Sequence, residues 1–185
     1  MPRPSLLNLP NVLCLVRILL APFLMVLLIA RSGPYTLAAA ALFLAAAITD
    51  WLDGRIARQT GQVSVVGQLL DPVADKLLIT AALFALVQVD RVPAWMAVLI
   101  VGREIAVTGL RTVAAAQGVI IAASDFGKVK MVSQVVAITL LILAGSPLVW
   151  TLGIAALSVA LVLALGSGAD YFCRFLARVV HGRGG

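Results

Sequence analysis

Long apolar runs separated by short polar breaks occupy almost the whole chain. Six apolar segments lie at approximately 11–30, 35–57, 68–88, 93–115, 125–145 and 148–168. The breaks contain turn-forming residues, as at Ser32-Gly33-Pro34 and Gly145-Ser146-Pro147. A helix needs about 20 mostly apolar residues to cross a bilayer, and backbone groups in lipid must be hydrogen-bonded within the segment. The pattern therefore predicts an all-α integral membrane protein with six transmembrane helices.

Composition supports the bilayer as the solvent of this chain. Of its 185 residues, 62% are hydrophobic and only 12% are charged. Soluble domains are roughly half apolar and carry about twice this share of charged residues. The length allows one membrane domain over residues 1–185, with a basic tail at 170–185, and no separate soluble domain.

The net charge of +6 is distributed unevenly between the two ends of the predicted helices. One end would hold both termini and Arg3, Arg55, Arg58, Lys128, Lys130, Arg174, Arg178 and Arg183, with Arg111 lying toward it. The other end would hold only Arg31 and Arg91. Basic residues favour cytoplasmic loops, so we expect a multi-pass protein of the cell membrane with both termini in the cytoplasm. No basic stretch is interleaved with aromatic residues, and no nucleic-acid partner is expected.

The tail from Tyr171 to Val180 leaves two interpretations open. Arg174 and Arg178 alternate there with apolar residues. This pattern is typical of an amphipathic helix lying in the membrane interface, and also of the end of the sixth helix.

Four of the eight acidic residues lie between Asp50 and Asp75. Asp50 and Asp53 are three apart, and Asp71 and Asp75 are four apart, so each pair shares one face of its helix. The intervening loop would bring the two faces together. Four converging carboxylates need compensating cations, and hard oxygen ligands favour Mg²⁺ or Mn²⁺ over zinc. Two such ions about 4 Å apart would clamp a phosphoryl group.

The residues between the two pairs are compatible with phosphate binding. Gly54 has no side chain, so a phosphate could approach the backbone, and Arg58 could neutralise a phosphate or pair with an aspartate. Gly61 and Gly67 bracket a loop of small and polar residues. Pro72 lacks an N–H group, so the third helix either starts near it or bends there.

The aspartate segment resembles the signature of the CDP-alcohol phosphatidyltransferases. The matching residues are Asp50, Asp53, Gly54, Ala57, Arg58, Gly67, Asp71 and Asp75, each at the family's spacing. The resemblance implies six transmembrane helices, a cytoplasm-facing polar cavity, two divalent metal ions and a homodimer. It also implies that the chain acts on CDP-diacylglycerol. We assign Asp50, Asp53, Asp71 and Asp75 to metal, and Asp75 also to the role of general base.

The N-terminal segment resembles one branch of the family. Asn8-Leu9-Pro10-Asn11, followed by Arg17 and Pro22, is similar to phosphatidylglycerophosphate synthases and cardiolipin synthases. Asn11 therefore joins Gly54, Arg58 and Gly67 as a candidate for binding nucleotide or phosphate. Cys14 stands where Thr is common in that branch, and we assign it no role.

Helices four and five resemble the branch that uses glycerol 3-phosphate as acceptor. The residues are Gly102-Arg103-Glu104-Ile105 with Arg111, and Gly127-Lys128-Val129-Lys130. A phosphate-bearing acceptor needs basic side chains, so Arg111 and Lys128, with Arg103 and Lys130 as further candidates, are predicted to bind its phosphate. Phosphatidylglycerol also carries a phosphate, so a cardiolipin synthase stays open as the alternative.

Two other classes of protein were weighed against a transferase. Membrane aspartates also occur in divalent-cation transporters. Here all four lie near one end of the helices, without an acidic exit at the other. A noncatalytic scaffold would have no reason to keep this spacing of aspartates.

Overall fold

The computed structural model describes the backbone of residues 9–30, 33–60, 65–116 and 125–181, and the side chains of residues 15–30, 33–49, 76–115 and 129–178. Six helices follow one another: α1 (Leu9–Ile29), α2 (Gly33–Thr60), α3 (Val65–Gln88), α4 (Ala94–Ala116), α5 (Asp125–Ile142) and α6 (Pro147–His181). No strand occurs within these ranges. The prediction of an all-helical chain with six long elements is confirmed.

Proline positions explain several helix ends. Pro34 and Pro147 lie in the first turns of α2 and α6, where the missing N–H would have had no partner within the helix. Pro93 directly precedes α4. α3 begins at Val65, seven residues before Pro72, so of the two alternatives for Pro72 the structure excludes a helix start there.

The sixth helix is longer than its apolar segment indicated. Its apolar run ends near residue 168, but α6 continues without a break to His181. Tyr171 is buried beyond that point, and Arg174 pairs with Asp170 one turn earlier at 2.9 Å. These contacts continue the helix through Gly166-Ser167-Gly168, so residues 171–180 form the end of α6 rather than a separate helix.

The helices pack around a core of aliphatic and small side chains. α5 packs most extensively against α6, and α1 against α3, while α4 contacts α6 and α3. α5 also contacts α2 and α3, the helices that carry the four aspartates. α5 and α6 approach closely at Gly153, where a Cβ would lie 2.8 Å from Leu141 Cγ.

The outer surface of the described helices is strongly apolar. Leu19 on α1, Leu37 on α2, Val98 on α4, Val132 on α5 and Val162 on α6 are each more than 60% exposed. Such continuous apolar exposure is not typical of a surface that contacts water.

Among the described residues, one helical segment is long and apolar enough to cross a membrane: Pro147–Arg178 in α6, with a mean hydropathy of 2.5. Shorter apolar segments lie in four other helices, at Leu15–Ile29, Gly33–Thr49, Lys76–Gln88 and Val129–Ile142. α4 differs because it carries Arg103, Glu104 and Arg111 within its apolar length.

One end of the bundle is held by Arg91, in the turn between α3 and α4. Its Nη1 donates to the carbonyl oxygens of Leu141 (3.0 Å) and Ile142 at the end of α5. Trp150 Nε1 donates to the carbonyl oxygen of Arg91 at 3.0 Å. We call Arg91, Trp150 and the carbonyl groups of Leu141 and Ile142 the capping cluster. It satisfies helix-end carbonyls that would otherwise lack a partner, and it joins the α3–α4 turn to the α5–α6 turn.

Candidate functional site

The four aspartates lie on two helices that are consecutive in the chain. The backbones of Asp50 and Asp53 belong to the second half of α2, and those of Asp71 and Asp75 to the first half of α3. Each pair therefore has the helical register that the sequence predicted, sharing one side of its helix. The four carboxylates lie outside the described side chains, so their convergence on metal stays a prediction.

For the candidate nucleotide-binding residues, too, the structure describes the backbone. The backbones of Asn11, Gly54, Arg58 and Gly67 lie in helices α1, α2, α2 and α3 respectively. The side chains of Asn11 and Arg58 are outside the described part of the chain. Their roles stay predictions.

The described part of the site begins with a charged pair on α4. Arg103 and Glu104 have side chains that are only 12% and 17% exposed. Arg103 Nη1 donates to Glu104 Oε1 at 2.9 Å. Two charges withdrawn from solvent need such compensation, and their placement within an apolar helix makes the region a candidate functional site.

Arg103 also joins α4 to α6. Its Nε donates to the carbonyl oxygen of Ala164, and its Nη2 to Ser167 Oγ, both at 2.8 Å. Gly168 lets the guanidinium lie against α6, because a Cβ there would be 3.3 Å from Arg103 Nε. All three guanidinium nitrogens are therefore engaged within the protein.

Lys130 on α5 completes the group by donating from Nζ to Glu104 Oε1, the oxygen that also accepts from Arg103. Lys130 is buried. No extensive packing of α4 on α5 occurs in the described part of the bundle, so these two long side chains bridge a space between the helices. We call Arg103, Glu104, Lys130 and Ser167 the ionic cluster.

The ionic cluster lies near the aspartate segment. Lys76, the residue directly after Asp75 on α3, is close enough to act electrostatically on both Glu104 and Lys130. Lys76, Arg103 and Lys130 thus all act on one described carboxylate, Glu104. Arg103 and Lys130, two cations that share one carboxylate oxygen, are a candidate site for an anion.

Arg111 lies two turns further along α4 than Arg103 and is exposed. Its guanidinium carbon is 5.9 Å from the centre of the Tyr171 ring on α6, within the range of a cation–π contact. A groove of about 380 Å³ between α4 and α6 is lined by Arg103, Ala106, Val107, Leu110, Leu165, Gly168, Ala169 and Phe172. Lys128, on the first turn of α5, has no described side chain.

Some residues of this site were not predicted. Ser167 and Tyr171 lie in or beyond an apparent break of the sixth apolar segment, and only tertiary contact with α4 gives them a role. No pattern in the sequence indicated that Lys130 pairs with Glu104. Gln134 lies one turn after Lys130 on the same face of α5, and this pair of polar residues in an apolar helix is a sequence signal for a polar contact there.

Comparison with known proteins covers most of the chain. The family model for CDP-alcohol phosphatidyltransferase matches residues 7–166. The chain is 42% identical to a CDP-diacylglycerol–glycerol-3-phosphate 3-phosphatidyltransferase of Bacillus subtilis, over 90% of this chain and 94% of that protein. It is 38% identical to a probable phosphatidylglycerophosphate synthase of Mycobacterium tuberculosis, over 94% and 84%. A CMP-forming cardiolipin synthase of rice is 37% identical, over 92% of this chain and 58% of that protein.

Proposed function

The chain belongs to the CDP-alcohol phosphatidyltransferase family, and we propose that it transfers the phosphatidyl group of CDP-diacylglycerol to glycerol 3-phosphate. The products are phosphatidylglycerol phosphate and CMP, and the step belongs to phospholipid biosynthesis. The observation that carries the proposal is the nearly full-length similarity to relatives named for this reaction. Family membership also favours a transferase over a divalent-cation transporter.

The acceptor phosphate is proposed to bind beside the basic residues of the ionic cluster. Arg103 and Lys130 share one oxygen of Glu104, so a single carboxylate serves two cations. The donors of Arg103 are engaged by α6 and Glu104. We therefore propose that Arg103 holds α4 against α6 and does not contact the phosphate directly. Lys130, Arg111 and Lys128 are then the candidates for direct contact with phosphate.

The four aspartates are proposed to hold two divalent ions. Their carboxylate oxygens are hard ligands, and the helical register places two on one side of α2 and two on one side of α3. Bound Mg²⁺ or Mn²⁺ would neutralise the pyrophosphate and stabilise CMP as the leaving group. Asn11, Gly54, Arg58 and Gly67 are proposed to contact the nucleotide or its phosphates.

The reaction needs one proton transfer and one exchange of phosphorus–oxygen bonds. A hydroxyl oxygen of glycerol 3-phosphate attacks the phosphorus that carries diacylglycerol, and the bond from that phosphorus to CMP breaks. Asp75 is proposed to accept the hydroxyl proton. Lys130, Arg111 and Lys128 would hold the acceptor phosphate while its hydroxyl attacks.

The apolar outer surface supports a position within the cell membrane. Exposed aliphatic side chains on the described helices suit contact with lipid, and CDP-diacylglycerol would enter from the same phase. We propose that all six helices cross the bilayer, with both termini and a polar cavity facing the cytoplasm, and that the protein is a homodimer.

An acceptor panel tests the proposal. Purified protein receives CDP-diacylglycerol, Mg²⁺ and either glycerol 3-phosphate, glycerol, inositol or phosphatidylglycerol, and lipid products are identified by mass. We expect phosphatidylglycerol phosphate from glycerol 3-phosphate and little product from the others. Failure to use glycerol 3-phosphate would reject the assigned acceptor.

Cardiolipin synthesis is the second candidate, because the rice relative covers almost the whole chain at 37% identity. In the same panel this activity would give cardiolipin from phosphatidylglycerol. The two candidate activities share the donor lipid and the aspartate segment. They differ only in the acceptor molecule that binds beside the basic residues of the ionic cluster.

A further inference from the structure

Gln134 is a buried amide on α5 whose nitrogen has no hydrogen-bond partner among the described residues. The residue is only 2% exposed, and its Nε2 donates to no atom in the described part of the chain. Other described polar side chains of α5 are satisfied: Ser133 and Thr139 each donate to a carbonyl oxygen of their own helix at 2.8 Å. A buried donor without an acceptor destabilises the fold, and the cost is larger still in a lipid environment.

The position of Gln134 links it to the ionic cluster. It lies four residues after Lys130, so the two share one face of α5 and are about 6 Å apart along its axis. Lys130 reaches Glu104 from that face, across the space between α4 and α5. α5 also contacts α2 and α3, which carry the aspartates. The unpartnered amide therefore lies one helical turn from the proposed acceptor site.

A second copy of the chain cannot supply the missing acceptor atom. Gln134 is enclosed by its own bundle, and a dimer partner would contact only exposed side chains. A partner that enters the interior must be small, and a substrate oxygen or a water molecule meets that condition.

We propose that Gln134 is a binding residue for the acceptor, and that its amide nitrogen donates to an oxygen of glycerol 3-phosphate held by Lys130. Lys130 and Gln134 would thus present a cation and a neutral donor one turn apart on α5, and both suit a phosphate or hydroxyl oxygen. The proposal rests on the function proposed above, because it names a further contact for the same acceptor.

Gln134→Leu removes the donor and keeps most of the volume. Loss of one hydrogen bond to a charged group should raise the KM for glycerol 3-phosphate about tenfold or more, with the KM for CDP-diacylglycerol unchanged. Without acceptor, the variant should have the same Tm in detergent as the wild type or a higher one, because it removes an unsatisfied buried group. A purely structural role predicts a lower Tm.

Gln134→Glu is the second variant, because it keeps the shape and replaces the donor by a carboxylate. It should raise the KM for glycerol 3-phosphate further than Gln134→Leu, since a carboxylate repels phosphate. Thr139→Val is the matched control on the same helix: its hydroxyl is satisfied locally, and both KM values should be unchanged.

Binding without turnover separates this proposal from the reaction itself. Glycerol 3-phosphate should raise the Tm of the wild type and of Thr139→Val, and should do so less for both Gln134 variants. An unchanged KM and an unchanged ligand-induced Tm shift in Gln134→Leu would mean that only water contacts this amide, and would overturn the proposal. A selective rise in the KM for CDP-diacylglycerol would also overturn it, by assigning the amide to the donor lipid. If the wild type does not use glycerol 3-phosphate at all, the proposed function fails first.

Discussion

Arg91 and Arg103 both donate from a guanidinium to backbone carbonyls of a neighbouring helix, but the clusters around them differ in what they leave unsatisfied. In the capping cluster, Arg91 donates to the last carbonyls of α5. In the ionic cluster, Arg103 and Lys130 share a single oxygen of Glu104, and Lys76 adds a further positive charge nearby.

The difference separates a structural contact from a candidate ligand site. Arg91 neutralises the partial negative charge at a helix C-terminus, so its charge is compensated by the fold itself. In the ionic cluster two cations share one carboxylate, and the amide nitrogen of Gln134 one turn away has no partner among the described residues. Groups that the fold leaves uncompensated are those that a substrate can satisfy. Variants at the ionic end should therefore change catalysis or acceptor binding, and variants at the capping end should change stability.

The largest expected effect is at Asp75, next to Lys76. Asp75→Asn keeps the size of the side chain and removes the proposed base, so kcat should fall about 10²- to 10⁴-fold. The Tm should change little. Turnover is measured at saturating Mg²⁺ to separate the base from metal binding, and a kcat near the wild-type value would reject Asp75 as the base.

The next effect is expected at Glu104. Glu104→Gln leaves Arg103 and Lys130 without their carboxylate in a mostly buried position, and removing one partner of such a group costs up to about 3 kcal/mol. The Tm should fall, and acceptor binding should weaken because Lys130 is no longer held.

A double variant sharpens the test of Glu104. Adding Lys130→Met removes the uncompensated cation and should recover much of the Tm without recovering the KM for glycerol 3-phosphate. Recovery of both quantities would show that the ionic cluster only holds α4 and α5 together.

Two arginines at opposite ends allow a direct comparison. Arg111→Ala should raise the KM for glycerol 3-phosphate about ten- to a hundredfold, with little change for CDP-diacylglycerol, because it removes one charge-assisted phosphate contact. Arg91→Ala should leave both KM values unchanged and lower the Tm, because it removes the donor to the α5 carbonyls. The comparison fails if Arg91→Ala alters acceptor binding as much as Arg111→Ala does.

The smallest expected effects concern two glycines of α6. Gly153→Ala would place a Cβ 2.8 Å from Leu141 Cγ, so the close packing of α5 and α6 must open and stability should drop by about 1–3 kcal/mol. Gly168→Ala meets Arg103 Nε at 3.3 Å, a smaller overlap with a side chain that can shift. Gly153→Ala should have a lower Tm than Gly168→Ala in thermal unfolding. Only Gly168→Ala should alter the KM for glycerol 3-phosphate, by a few-fold. The reverse ranking would mean that Arg103 fits more tightly than Leu141.

Local sequence pattern predicted the helices well, because apolar runs and proline breaks depend on neighbouring residues only. It failed at Gly166-Ser167-Gly168, where α6 continues through residues that usually end a helix because Arg103 and Tyr171 supply tertiary contacts. It also placed Arg103 and Lys130 together as phosphate ligands, without showing that Glu104 binds both. Pairing between α4, α5 and α6 depends on how helices pack, and residue spacing along one helix does not contain that information.

The most direct test of phosphatidyl transfer to glycerol 3-phosphate is a product balance on the purified protein. CMP and phosphatidylglycerol phosphate are quantified together, with CDP-diacylglycerol as donor, in the presence and absence of glycerol 3-phosphate and of EDTA. We predict that the two products form in equal amounts, only when acceptor and divalent metal are both present. CMP release without glycerol 3-phosphate, or full product formation in EDTA, would contradict metal-dependent transfer to this acceptor.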